Sequence, residues 1–284
     1  MLPAIRVSQV RSFRDGPQWV ASARVEHPRG VDDLWFRSDT PLPGPAADAA
    51  LIVTQSWALR LGVPLEIDAP VCPVLLENVA RLHEALRCWR PRWRPVTIHA
   101  SARAASDRPP TGPSRAAFFS GGVDSFHTVL RGGWNLDTLI NVLGMDVRPE
   151  DAELTAAATS NWRAVAGALG LRLVLLRSNL RQIHDSRGPE FRMYPGGLTG
   201  AASLLAGDVG VALFSAVATY NGLVPDSIHP VTVPMHDTAY VRFVYAGGEV
   251  SRLEKVRALA QEPLALDHLH VCFCGSGARI NCGE

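Results

Sequence analysis

Hydrophobic and polar positions alternate over short stretches between residue 1 and about residue 40, and turn signals such as Asp-Gly separate these stretches. Such alternation predicts antiparallel strands. Two helical patterns follow, at Ala46–Leu61 and Pro73–Trp89, and the second carries its apolar residues on one face. A strand-like segment at 95–100 closes this part. Residues 1–101 are therefore predicted to form a small α+β domain.

The pattern changes after a proline-rich segment. Residues 102–114 contain three prolines among small polar residues and lack apolar periodicity, so they are predicted to be a linker. Beyond them, apolar strands alternate with helical patterns, which predicts a parallel sheet with helices on both faces over residues 115–284. Such sheets bind ligands at the carboxyl ends of their strands. The strands are predicted at 115–119, 138–143, 171–176 and 211–215.

The composition indicates a folded protein with a sizeable core. The chain has 284 residues, of which 47% are hydrophobic and 19% charged, and its formal net charge is +1. A near-neutral charge argues against a protein that coats nucleic acid, since phosphate binding usually requires a basic balance. The longest apolar runs are too short to span a membrane, and no signal-peptide pattern opens the chain. We therefore expect a cytoplasmic protein with neither a nucleic-acid nor a membrane partner.

The clearest chemical signal follows the first strand of the α/β part. There an apolar strand ends in a glycine-containing loop, and a helix begins at about Asp124. Two glycines allow the backbone to approach a ligand closely, and the amide groups of a helix N-terminus favour an anion. The alternative is a plain turn in which Asp124 caps the helix. The loop residues are Ser120, Gly121, Gly122, Val123, Asp124 and Ser125.

This motif resembles the SGGxDS loop of the PP-loop, or N-type, ATP pyrophosphatases. It is neither a Walker loop nor a Gly-x-Gly-x-x-Gly dinucleotide fingerprint. The resemblance implies a five-stranded parallel sheet of the adenine nucleotide α-hydrolase type over about residues 114–284. It also implies that ATP, with Mg²⁺, is cleaved between its α and β phosphates, and that pyrophosphate leaves into this loop.

Lysine is used once in this chain, at Lys255, although 28 residues are lysine or arginine. Codon usage alone explains a bias towards arginine. Lysine has a compact, mobile ammonium group, so the single lysine also suggests a role that the planar guanidinium of arginine cannot fill. PP-loop enzymes commonly have a lysine on a late helix that reaches the nucleotide phosphates. The resemblance therefore implies that Asp124 and Lys255 are catalytic. The alternative for Lys255 is a solvated ion pair with Glu254 on a helix surface.

The loop after the second predicted strand contains Gly144, Met145 and Asp146. PP-loop proteins usually hold the adenine at this point with backbone groups, so the resemblance implies that these residues bind the nucleotide together with Ser120 to Ser125. Asp146 is a candidate to orient ribose or magnesium. The alternatives are that Asp146 caps the following turn and that Met145 serves only packing.

Three of the five cysteines, Cys272, Cys274 and Cys282, fall in the last thirteen residues. An odd count argues against a disulfide framework, and clustered thiols favour a metal. The spacing of Cys274 and Cys282 resembles the first half of the zinc motif of the queuosine-pathway deazaguanine nitrile synthase, which implies Zn²⁺. Tetrahedral zinc takes four ligands, so the motif is incomplete and we expect a shortened chain. Cys72 and Cys88 are predicted to be core thiols.

Two histidines, His229 and His236, lie between predicted strands near the expected substrate end of the sheet. Histidine there can act as an acid or base or bind a metal. The alternative is that each is a loop histidine held by hydrogen bonds.

These features together predict an enzyme of the ligase or transferase type. It would adenylate a carboxylate, amide or carbonyl oxygen of a small molecule, release pyrophosphate and AMP, and let a nucleophile complete the substitution. The competing hypotheses are a nucleotide-binding module without turnover, a nucleobase- or RNA-modifying thiolase, and a carboxylate-activating epimerase. The N-terminal domain is expected either to shape substrate access or to form a homodimer contact.

Overall fold

The computed structural model describes residues 4–107, 109–110, 112–225, 228–271 and 279–281. Its strands are β1 (Ile5–Asp15), β2 (Gln18–His27), β3 (Gly30–Ser38), β4 (Leu65–Val71), β5 (Ile98–Ala102), β6 (Ser114–Phe118), β7 (Thr138–Leu143), β8 (Arg172–Ser178), β9 (Val209–Ser215) and β10 (Arg242–Ala246). Its α-helices are α1 (Ala46–Leu61), α2 (Pro73–Trp89), α3 (Val123–Arg131), α4 (Ala152–Leu169), α5 (Leu180–Arg187), α6 (Gly196–Ser203), α7 (Arg252–Leu259) and α8 (Pro263–His268). Short 3₁₀ turns cover Ala105–Asp107, Tyr220–Gly222 and Pro234–His236.

Five strands of the second half lie side by side in the order β10-β9-β6-β7-β8, and all four of their pairings are parallel. The chain moves from β6 to β7 and β8 on one side and returns to β9 and β10 on the other. β6 is thus the point at which the strand order reverses, and open α/β sheets bind ligands outside such a point. The predicted α/β class and parallel sheet are confirmed.

Helices cover both faces of this sheet, as its alternating side chains require. Ile140 and Val142 of β7 belong to a core cluster that also contains residues of α1 and α6. Leu139 and Leu143 of the same strand belong to a second cluster with residues of α3, α4 and α8. A parallel strand that is buried on both faces has a nearly continuous run of apolar residues. The sequence therefore predicted β7 with the bounds that the structure shows.

The strands of the first half extend the same sheet. β3 pairs antiparallel with β8, where Phe36 faces Ser178, and β2 and β1 continue the antiparallel order. β4 and β5 then pair parallel beyond β1. The predicted antiparallel strands are confirmed, whereas β4 was not predicted and the strand expected at 95–100 begins at Ile98. The division into two domains at 102–114 stays a prediction.

The two helices predicted in the first half have the expected bounds. Pro73 occupies the first turn of α2, and Gly62 ends α1 in the left-handed conformation that glycine adopts readily. Cys72 is buried, as expected, but Cys88 is exposed, so its assignment to the core is wrong. The reason is that Cys88 lies off the apolar stripe of α2, whose buried members include Leu75, Val79 and Leu82.

No helix among the described residues combines the length and the apolar character that a membrane crossing requires.

Candidate functional site

The SGGVDS loop connects the carboxyl end of β6 to the first turn of α3. Gly121 has a φ of +82°, and Gly122 is the N-cap residue of α3 without a side-chain cap. The predicted alternative, that Asp124 caps this helix, is therefore wrong. The Ser125 hydroxyl donates to the Gly122 carbonyl at 2.9 Å, and the Ser120 and Ser125 oxygens lie 3.4 Å apart. The first N–H groups of α3 have no partner within the helix, so the loop offers amide and hydroxyl donors together.

Three neighbours hold this loop through its carbonyl groups. Asn141 Nδ2 donates to the Phe119 carbonyl at 2.8 Å, and Trp162 Nε1 donates to the Ser120 carbonyl at 3.1 Å. The backbone N–H of His270 donates to the Gly121 carbonyl at 2.8 Å. With its acceptors engaged, the loop presents mainly donors, which is the arrangement that an anion needs.

A Cβ atom at position 121 would have little room. It would lie 3.2 Å from His270 Cβ, and the positive φ of Gly121 adds strain for any other residue. Glycine at this position is therefore explained by the geometry of the loop.

Asp124 bridges the loop to two cations of α7. Its Oδ2 accepts from Arg252 Nη1 at 2.6 Å, and its Oδ1 accepts from Lys255 Nζ at 3.2 Å. Lys255 is 2% exposed and also donates to the Ala216 carbonyl at 2.6 Å. The hypothesis of a solvated Glu254–Lys255 pair is wrong, because Lys255 is buried and Glu254 instead completes a capping box with Ser251.

The two cations have different positions relative to the solvent. The side chain of Arg252 is 60% exposed and lines the main cleft, whereas Lys255 does not line it. A buried ammonium whose donors meet a carboxylate and a carbonyl orients those groups. Lys255 is therefore placed to position Asp124, and Arg252 is a cation that a ligand in the cleft would meet.

The loop after β7 forms the opposite side of the cleft. Gly144 has a φ of +91°, and a Cβ there would lie 2.0 Å from the Ser178 carbonyl oxygen. Met145 is 1% exposed and its backbone carbonyl accepts from Arg181 Nη1 at 3.2 Å. Asp146 accepts a short hydrogen bond from the Tyr194 hydroxyl. Burial and the neighbouring Asp146 carboxylate raise the pKa of Tyr194, so the phenol stays protonated and a donor.

A cleft of about 720 Å³ connects these groups at the carboxyl end of the sheet. Its volume is typical of small-molecule sites. Gly121, Gly144 and Lys255 are not among its lining residues. The residues predicted from the sequence that do line it are Ser120, Gly122, Val123, Asp124, Ser125, Met145 and Asp146.

Sequence reasoning missed several polar groups of this cleft. Arg252 follows the capping serine of α7, and Ser215 ends β9 next to β6. Ser215 Oγ and His184 Nδ1 are buried and have no hydrogen-bond partner among the described residues. The position of Ser215 at the end of a strand was the one signal that could have identified it, because ligands meet strand ends in such sheets.

The two candidate histidines do not line the main cleft. His229 accepts from the backbone N–H of Val231 at 3.1 Å, and His236 Nδ1 donates to the Thr232 carbonyl at 3.1 Å. Each thus makes a backbone hydrogen bond, as the alternative hypothesis expected, and an acid, base or ligand role for either one stays a prediction. Burial lowers the pKa of His236 to about 4, so that it is neutral at neutral pH.

The predicted zinc ligands Cys272, Cys274 and Cys282 lie outside the described residues. Within the described ranges, no group of three or more His, Cys, Asp or Glu side chains is arranged to hold a metal ion. The zinc assignment stays a prediction.

No family model, no curated protein and no solved structure matches this chain. The resemblance to PP-loop enzymes stays a prediction that depends on the SGGVDS motif.

Proposed function

We propose that this protein is an ATP-dependent adenylating enzyme, which transfers AMP from ATP to an oxygen of a small molecule and releases pyrophosphate. The observation that carries the proposal is the position of the SGGVDS loop. The loop follows β6, the strand at which the strand order of the sheet reverses, and leads into the N-terminus of α3. It also lines the main cleft. Phosphate groups bind well at such a place, because backbone N–H groups and the helix dipole both favour negative charge.

The electrostatics of the cleft support a phosphate ligand. Arg252 reaches the cleft with an exposed guanidinium while its Nη1 is held by Asp124. A guanidinium has five donors, so a single bond to Asp124 leaves others for phosphate oxygens. The Ser120 hydroxyl adds a neutral donor at the loop, since the Ser125 hydroxyl already donates to the Gly122 carbonyl. In the proposed complex these groups bind the β and γ phosphates, and Lys255 keeps Asp124 in place.

The carboxylates of the cleft suit a magnesium ion that arrives with the nucleotide. Asp124 and Asp146 both line the cleft, and Mg²⁺ in proteins commonly takes one or two carboxylates together with phosphate oxygens. Both Asp124 oxygens already accept from cations, which makes Asp146, on the opposite side, the better ligand. When bound, magnesium would neutralise part of the charge on the phosphates.

The proposed step needs no nucleophile from the protein. An oxygen of the acceptor attacks the α phosphorus of ATP, a P–O bond to the acceptor forms, and the bond between the α phosphorus and the bridging oxygen of the β phosphate breaks. Pyrophosphate leaves with that electron pair. The chain has to stabilise the charge that develops on pyrophosphate, and fixed donors placed at the leaving group do this efficiently. Displacement of AMP by a second nucleophile would complete the reaction.

Binding tests the first part of the proposal. We expect isothermal titration calorimetry to detect binding of ATP to the protein. Pyrophosphate should compete with ATP for the same site. Arg252→Ala should weaken both by about tenfold or more, since a hydrogen bond to a charged group is worth ~1.5–3 kcal/mol. Arg257→Ala is the matched control, because Arg257 is on the same helix, is exposed and does not line the cleft. Equal effects of the two variants, or no competition by pyrophosphate, would refute the phosphate site.

Turnover tests the second part. With [α-³²P]ATP and a collection of small carboxylates, we expect AMP and pyrophosphate as products. ADP and phosphate would refute the assignment of the bond that breaks. Tight ATP binding without AMP from any acceptor would instead favour a binding module. Ser120→Ala is preferred to Asp124→Ala as the loop variant, because loss of Asp124 leaves the buried Lys255 without its carboxylate, a change that costs about 3–5 kcal/mol of stability.

A further inference from the structure

A smaller cavity lies beside the main cleft, between α1, α2 and the 3₁₀ turn Pro234–His236. Its volume is about 140 Å³, compared with about 720 Å³ for the main cleft, so it accepts only a small group. The residues on which the inference depends are Arg60, Trp89, Arg90, Trp93, Arg192 and His236.

His236 supplies an unused acceptor in the wall of this cavity. The residue is 1% exposed, and its Nδ1 donates to the Thr232 carbonyl, so the proton of the neutral ring is on Nδ1. Nε2 is therefore a lone-pair acceptor, and it is buried without a partner among the described residues. An unsatisfied buried polar atom costs free energy unless a ligand or water meets it. Because His236 lines this cavity, an O–H or N–H group of a ligand bound there is the candidate partner for Nε2.

Two arginines of the cavity wall, Arg90 and Arg192, form no ion pair with a carboxylate of the described residues. The Arg90 guanidinium donates only to backbone carbonyls, those of Trp89 at 3.0 Å and Pro225 at 3.4 Å, within the described residues. For the Arg192 side chain, the same part of the chain shows no hydrogen bond or ion pair, and this residue is exposed. Two cations without a carboxylate partner in the described part of the chain favour an anionic occupant.

Planar side chains form the remaining walls. Trp89 and Trp93 line the cavity, and the Arg60 guanidinium lies 4.7 Å from the centre of the Trp93 ring. Tryptophan faces favour an aromatic ligand, which gains both burial and ring contacts. Arg192 and Tyr194 line the main cleft as well as this cavity, so a ligand bound here has its charged end next to the proposed nucleotide site.

We propose that the smaller cavity binds a small aromatic carboxylate with a hydroxyl or N–H group on its ring, and that this molecule is the acceptor that becomes adenylated. The carboxylate faces Arg192, the ring lies against the tryptophans and the ring donor meets His236 Nε2. The acceptor role rests on the proposed function, whereas the ligand class rests on the cavity alone.

Calorimetry with four matched probes tests the ligand class. The probes are para-hydroxybenzoate, meta-hydroxybenzoate, benzoate, which lacks the ring donor, and para-hydroxybenzyl alcohol, which lacks the carboxylate. We expect at least one hydroxybenzoate to bind about tenfold more tightly than benzoate and the alcohol, as one additional satisfied buried group predicts. No preference for a hydroxybenzoate over benzoate would overturn the inference.

Variants then assign the contacts. Arg192→Ala and Arg90→Ala should each weaken hydroxybenzoate binding by about tenfold, while Arg81→Ala, an exposed arginine of α2 outside the cavity, should leave it unchanged. His236→Phe should reduce hydroxybenzoate binding to the level of benzoate and leave benzoate unaffected. If His236→Phe fails to fold, the Arg90→Ala and Arg192→Ala variants provide the test. Unchanged hydroxybenzoate binding in both would overturn the inference.

ATP titrations with the same proteins separate this inference from the proposed function. ATP binding without hydroxybenzoate binding would overturn only the cavity assignment. Hydroxybenzoate binding without ATP binding would support the cavity as a ligand site and overturn its role as the acceptor site of an adenylating enzyme. Faster AMP formation with the hydroxybenzoate that binds best would support both.

Discussion

Gly144 shows how one residue sets the shape of the candidate site. The backbone at this position has a φ of +91°, and the Ser178 carbonyl oxygen occupies the place where a Cβ would be, 2.0 Å away. The turn after β7 can therefore approach β8 only with glycine at this point. This close approach fixes where Met145 and Asp146 enter the cleft.

We expect Gly144→Ala to destabilise the fold by about 2–5 kcal/mol, because strain from the positive φ and overlap with the Ser178 carbonyl act together. Gly133→Ala is the matched control. Gly133 has a φ of +64°, but a Cβ there would meet no atom within 4 Å, so its cost should be only about 1–2 kcal/mol. Urea unfolding of both variants measures the difference. Equal destabilisation would show that the turn moves away from β8 at little cost.

His83 makes the stability of the fold depend on pH, and the direction of this dependence follows from its burial. Its Nε2 contacts Gln55 Oε1 at 2.8 Å, and burial lowers its pKa from 6.5 to about 4. Between these values the unfolded chain binds more protons than the folded one, so stability is present above pH 6.5 and is lost as the pH falls towards 4. Burial lowers the pKa of His236 to about 4 as well, so His236 adds to this loss of stability at low pH. Burial raises the pKa of Asp237 to about 6, and this shift changes stability with pH in the opposite direction.

We expect His83→Gln to make stability less dependent on pH. Between pH 7 and about pH 4.5 the free energy of unfolding of the wild-type protein should fall by on the order of 2–3 kcal/mol more than that of the variant. Urea unfolding across this pH range gives both curves. His99→Gln, at an exposed histidine of β5, should reproduce the wild-type curve. Parallel curves for wild type and His83→Gln would mean that His83 titrates alike in the folded and unfolded chain.

At the scale of elements, the sequence predicted those whose boundaries are encoded locally. α1 and α2 had the expected bounds because Gly62 and Pro73 mark their ends, and β7 because it is a short apolar run between polar residues. β4 was missed because Asp68 and Pro70 interrupt its apolar pattern, although it pairs with β1 and β5. Its strand conformation depends on those neighbours, and propensity within the segment does not specify it.

The candidate site was predictable to the same degree. The SGGVDS loop was identified because glycines between a strand and a helix constrain the backbone within a few residues. Arg252 and Tyr194 were not identified, because they meet Asp124 and Asp146 across 128 and 48 residues of chain. Lys255 was singled out by its uniqueness, but only the packing of α7 against α3 shows that it is buried behind Asp124. Contacts between distant segments have no local signal in a single sequence.

At the scale of the molecule, the two halves of the chain share one sheet and one large core cluster. β3 and β8 pair across the predicted boundary, and one core cluster contains residues of α1, β1, β7 and β9. A buried ion pair also joins the segment after β5 to α1. Arg103 Nη1 donates to Asp48 Oδ2 at 2.8 Å, and the side chains of Arg103 and Asp48 are 9% and 0% exposed. Such shared burial makes independent unfolding of either half costly, since it would expose apolar surface of the other.

We therefore expect the chain to unfold in one transition, and Arg103→Met tests this. Without Arg103 the Asp48 carboxylate remains buried and uncompensated, which costs about 3–5 kcal/mol. In hydrogen exchange measured by mass spectrometry at increasing urea, the variant should lower the midpoints of peptides from β1–β5 and from β6–β10 by the same amount. Arg92→Met, at an exposed arginine, should leave both unchanged. A midpoint shift confined to β1–β5 would instead support two domains that unfold separately at the 102–114 segment, because only a cooperative sheet transmits the loss of the Asp48–Arg103 pair to β9 and β10.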